Sequence, residues 1–170
     1  DRMVRDDGWR LLSIGRHIER LGTLSQALAD GLTHASLAED GGFEALVALF
    51  DSTITFHARY QQRRDLPALV DMLVLDRDNP RSLAWVLGTL RSRLSKLANT
   101  VHGEVSELAQ PLPDPAGWTL TAFCDTNAQG QPTALLAVLS ECRQAAMDLS
   151  DDINRRHFSH ADRDNQALMT

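Results

Sequence analysis

Leu11, Ile14, Ile18, Leu21, Leu28 and Leu32 recur at helical spacing, with Ser25 filling the one gap. They predict an amphipathic helix over about 6–32. Trp9, Leu12, Arg16, Glu19 and Thr23 form a second line on another side of it. The helix therefore has two sides that could pack. Asp6 and Asp7 place negative charge at its N-terminal end, where the macrodipole favours it. Gly41-Gly42 breaks the chain. A second helix is predicted over about 43–62, with Phe43, Leu46, Val47, Phe50 and Ile54 on its apolar face.

Asp65-Leu66-Pro67 restarts the chain, with proline near a first helical turn. The run over about 67–75 is apolar nearly all round, which predicts a short buried helix. A strand is the alternative for so short a run. Asn79 can cap a helix and Pro80 suits its first position, so another helix is predicted from Pro80 to about Leu97 or beyond. Leu83, Leu87, Leu90, Leu94 and Leu97 form its stripe. Between Gly103 and Pro132 the pattern decays into proline-rich loops, with short helical pieces near 105–109 and 119–123. A last helix spans about 133–155, lined by Leu135, Leu139, Cys142, Ala146, Leu149 and Ile153. The whole reads as one all-α domain. It is a mostly antiparallel bundle of four long helices, a short buried helix and an irregular loop region.

At 170 residues the chain is long enough to bury a core without disulfide staples. The net charge of −6 argues against a non-specific nucleic-acid binder, which needs a basic surface. No apolar run reaches the span of a bilayer and no signal peptide opens the chain. We read it as cytoplasmic, with no membrane and no nucleic-acid partner. It opens on Asp1 rather than Met and reads as part of something longer. Lys96 is the only lysine, which disfavours Schiff-base or P-loop chemistry and favours planar arginine contacts. Genomic base composition gives the same bias. Cys142 falls on an apolar stripe and reads as a buried free thiol, whereas Cys124 sits in a loop-like region.

Candidate chemistry is sparse. None of the six glutamates has a histidine three residues later, so a carboxylate-bridged metal site is not expected. His157 and His160 stand three apart without a third ligand, and no metal or cofactor is predicted. The other histidines read as solvated. Arg16, Glu19 and Arg20 can meet on one helix as a partly buried ion-pair network; a solvated charge face is the alternative. A second polar group comprises Thr55, Arg59, Tyr60, Asp76, Asn79 and Arg81. The buried short helix would carry Asp71 and Asp76 beside the core, where Arg59 and Arg81 are plausible partners. Capping with surface pairing is the alternative reading of that group.

The runs Arg5-Asp6-Asp7-Gly8-Trp9-Arg10 and Ile14-Gly15-Arg16-His17-Ile18-Glu19-Arg20 resemble the bacterial alpha-E family. That family is named for an alpha-helical domain with a Glu-Arg motif, here Glu19-Arg20. Ile54 to Tyr60, Val70 to Asp76 with Asn79-Pro80-Arg81-Ser82, and Leu149 to Asp152 with Phe158-Ser159-His160 resemble it too. Phe56-His57 stands where the family more often has Tyr-Arg, and Trp85-Val86 departs from the usual Phe-Gln. The stretch from about 103 to 131 carries no resemblance. The family domain is commonly longer, with two related halves, and this chain resembles the C-terminal one. The second side of the first helix would then meet the missing N-terminal half, or a second copy in a homodimer.

The resemblance brings no catalytic residues. It implies partnership with circularly permuted ATP-grasp proteins and transglutaminase-like proteins. The leading expectation is a non-catalytic interaction or accessory module in a peptide- or amide-ligating system. The alternative is an enzyme or small-ligand binder. Its cleft would be lined by Arg16, Glu19, Arg59, Tyr60, Asp76 and Arg81, with Glu19 as acid or base.

Overall fold

The computed structural model describes residues 2–33, 65–100 and 106–167. The predicted helix over 43–62 lies outside them, as do Arg59 and Tyr60. Among the described residues the elements are helical throughout, with no strand. They are α1 (Arg2–Thr33), α2 (Leu66–Val70), a π-helical turn (Asp71–Leu75), α3 (Leu83–Thr100), α4 (Ser106–Ala109), a 3-10 turn (Pro115–Gly117), α5 (Leu120–Cys124) and α6 (Thr133–Ala167).

α1, α3 and α6 are the long elements, and α1 packs against both of the others. Both pairings are antiparallel. Trp9 and His17 of α1 meet Arg93 and Trp85 of α3, so later residues of α1 meet earlier residues of α3. On the other side, Gly22 lies beside Ala146, and Arg143 donates to Gln26. The predicted stripes are the core. Ile14, Ile18, Leu21, Ser25, Leu28 and Leu32 of α1 are buried, with Leu83, Leu87, Leu90, Leu94 and Leu97 of α3. Leu135, Leu139, Cys142, Ala146 and Leu149 of α6 join them, while the stripe ends Leu11 and Ile153 are half-buried. Ser25 escapes the cost of burial because its hydroxyl donates to the Leu21 carbonyl at 2.7 Å.

Three boundaries differ from the sequence expectation. α1 starts at Arg2, so Asp6 and Asp7 lie past its first turn. α6 runs to Ala167 because no glycine or proline interrupts 133–167, although its apolar stripe ends near Ile153. α3 begins at Leu83 rather than Pro80, because residues 79–82 form a turn closed by Ser82 N–H on the Asn79 carbonyl at 2.9 Å. Pro80 occupies the second turn position, which its fixed φ suits.

The short apolar run is helical, as its lack of a polar side implied, and Asp65 caps it by accepting from Ala68 N at 3.1 Å. Its second half widens into a π-turn with Met72, Leu73 and Val74 buried. The loop region contains α4 and α5 close to the predicted helical pieces. Its last turn uses Asn127, whose side-chain oxygen accepts from Gln129 N and Gln131 N at 3.0 Å each. Gly130 there adopts φ +75°, a conformation that favours glycine.

Candidate functional site

The polar residues expected to form one site fall into separate places. Arg16, Glu19 and Arg20 are exposed on α1, and no ion pair joins them among the described residues. The partly buried network expected there is absent, and the solvated face describes them. Trp9 and Leu12, on the same line, are 63% and 56% exposed. α1 does pack on two sides, but through faces occupied by α3 and α6. His17, expected in solvent, is half-buried, with its ring nitrogen on the Ser13 carbonyl at 2.7 Å and its ring 6.0 Å from that of Trp85.

The second group is built at the corner between the π-turn and α3. Asn79 is buried, and its side-chain amide donates to the Met72 carbonyl at 3.1 Å. Its side-chain oxygen accepts from Arg81 N at 3.1 Å. Ser82 is fully buried; its hydroxyl donates to the Asp76 carbonyl and accepts from Trp85 N at 3.1 Å. Ser82 therefore caps α3, a role the sequence assigned to Asn79. The Asp76 carboxylate accepts from Asp78 N at 3.0 Å. These bonds replace the π-turn and helix-start partners that the backbone lacks, and so hold the corner. No hydrogen bond or ion pair among the described residues connects this corner to Arg16, Glu19 or Arg20.

A concavity of about 1200 Å³ lies between α1 and α6. Gly15, Gly22, Ala27, Ala146 and Ser150 line it, their small side chains leaving the helix backbones accessible. Leu11, Ile18, Met147 and Ile153 add apolar surface, and Met147 is 57% exposed. Among the described residues the rim carries Glu19, Asp30 and Asp151, with the guanidinium of Arg143. Sequence reading missed this groove. Its signal is the spacing of Gly15 and Gly22 along α1, but the partner residues lie more than a hundred positions away on α6.

Both cysteines are free thiols. Burial, then the nearby Glu141 charge, pushes Cys142 up to about 12, against a lowering hydrogen bond with Ser25. Burial and the Asp65 charge raise Cys124, which is half-buried at the end of α5. Neither thiol is placed as an activated nucleophile, which needs a lowered pKa. Among the described residues no cluster of three or more His, Cys, Asp or Glu could hold a metal ion. The side chains of His157 and His160 lie outside the described residues. No described helix is long and apolar enough to cross a membrane.

Fold and surface thus define a class: an all-α helical domain with an open apolar groove along its two longest helices. The chain belongs to the Alpha-E family, described as a predicted alpha-helical domain with a conserved ER motif, whose model matches residues 1–158. An uncharacterized protein of Mycobacterium tuberculosis strain H37Rv is 34% identical over 98 residues, which is 56% of this chain and 11% of that protein. An uncharacterized protein of Mycobacterium bovis matches with the same identity and coverage. The matched segment is thus a small part of each curated relative. No solved structure matches the chain.

Proposed function

We propose that this domain is a non-catalytic helical interaction module serving a cytoplasmic ATP-grasp system that joins carboxylates to amines. The observation that carries the reading is the α1–α6 groove. It is apolar, floored by small residues and open along about five turns of α1, a length of about 30 Å that suits one docked helix. Among the described lining residues, Glu19 and Asp151 on the rim favour an amphipathic helix with basic flanks. The occupant we assign is such a helix from the ATP-grasp ligase. The family resemblance supplies the ligase as partner, and the length of the curated relatives is consistent with a module inside larger polypeptides.

The test is co-purification of the 170-residue chain with the neighbouring ATP-grasp protein, followed by ATP consumption with and without this domain. The expected result is a complex that Gly15→Leu or Met147→Glu disrupts. Both positions are exposed, so the fold should survive either change. A complex indifferent to both variants, or no complex at all, would overturn the proposal.

A further inference from the structure

A second concavity, of about 840 Å³, opens on the other side of α1, between its N-terminal half, α3 and the 3-10 turn. Its chemistry is the opposite of the first. Arg10, Arg77, Arg91, Arg93 and Lys96 border it, with Asp114 the one carboxylate among the described lining residues. Asp114 is already engaged, accepting from Ala116 N at 3.0 Å to start the 3-10 turn. A chain with a net charge of −6 thus gathers five of its 17 basic residues at one hollow. Arg10 has an interaction of its own; the positive charges of Arg77, Arg91, Arg93 and Lys96 repel one another, and a concave wall strengthens the field that would attract an anion.

The hollow is also structured. Trp85, Thr89, Ser92 and Lys96 recur along one face of α3, and all four line it. Arg91 is held by a bond from its guanidinium to the Leu112 carbonyl at 3.1 Å, which leaves its remaining donors for another group. Arg93 stands 5.5 Å over the ring of Trp9. Its Nε is buried and has no hydrogen-bond partner among the described residues. Even with Arg93 above it, Trp9 remains 63% exposed and keeps aromatic surface for a planar group. The volume lies within the range of small-ligand sites.

We infer that this hollow binds a nucleoside phosphate. The phosphates would lie among Arg91, Arg93 and Lys96, and the base would rest against Trp9. Arginine forks match phosphate oxygens in pairs, and tryptophan offers a flat, polarisable face to a base. This site shares no residue with the apolar groove, so either assignment can fail without the other.

The test is calorimetric titration of the full chain with ADP, pyrophosphate, adenosine and citrate, with tryptophan fluorescence followed in parallel. ADP should bind more tightly than the other three and should weaken as salt rises. Lys96→Gln and Arg77→Gln alter exposed side chains; each should lower ADP affinity, Lys96→Gln by about tenfold. Trp9→Leu should erase the advantage of ADP over pyrophosphate. ADP binding no tighter than citrate or pyrophosphate, or indifferent to Lys96→Gln and Arg77→Gln together, would overturn the inference, as would no binding at millimolar ADP.

Discussion

The side-chain amide of Asn79 reaches back seven residues to the Met72 carbonyl, at 3.1 Å, and ties the π-turn to the start of α3. The same side chain accepts from Arg81 N. Asn79→Ala would leave a buried carbonyl and a backbone N–H unsatisfied at once. We expect it to cost about 2–3 kcal/mol in urea or thermal unfolding. A loss near zero would mean that water replaces both bonds.

Ser82 works beside it. Removing its hydroxyl deprives Trp85 N of the α3 cap and the Asp76 carbonyl of a donor. Ser82→Ala should destabilise by about 1–2 kcal/mol. Because the two residues support one corner, the double variant with Asn79→Ala should lose less than the sum of the single losses. Strict additivity in the same unfolding assay would show two independent anchors.

Glu19 lies in solvent on α1, so Glu19→Ala should shift stability by less than about 0.5 kcal/mol. Its place on the groove rim predicts a different readout: weaker capture of a basic-flanked helix. A stability loss of several kcal/mol on thermal unfolding would instead restore the buried network that the sequence suggested.

Gly22 sits inside α1, and a Cβ added there would meet the Ala146 Cβ at 3.8 Å, an ordinary contact. Gly22→Ala should therefore stabilise by about 0.5–1 kcal/mol through helix propensity. A fall in melting temperature would show that α1 and α6 approach more closely than this distance implies.

Cys142 gives a pH signature. Its folded-state pKa is raised from 9.0 to about 12, so the folded chain holds the proton over a range where the unfolded chain releases it. The contribution is fully present below pH 9 and is lost as pH climbs toward 12. The wild-type melting temperature should fall more steeply across that window than that of Cys142→Ala. Parallel pH curves for the two proteins would remove the thiol as the cause. In native protein, Cys124 should react with a thiol reagent well before Cys142, which is fully buried.

Much of this architecture was legible in the order of residues. The leucine stripes of α1, α3 and α6, the helical restart at Asp65-Leu66-Pro67 and the buried thiol of Cys142 each follow from spacing within a few turns, where neighbours in sequence are neighbours in space. Glu19-Arg20, with the segments around it, was enough to indicate the family that the family model then matched.

Other features were decided only when the helices met. The sequence shows that α1 has more than one side able to pack, but not which sides. Trp9 and Leu12 read as packing residues and are exposed, because the approach of α3 and α6 is set by the summed contacts of their stripes. The Asn79 bond to Met72 depends on the shape of the π-turn, which brings a carbonyl seven residues back within reach. Both hollows bring together residues far apart in the chain: Trp9 with Arg93 in one, Gly22 with Ala146 in the other. Local periodicity specifies which faces seek burial. The tertiary packing alone determines where covering stops, and therefore where a surface is left for a ligand or a partner.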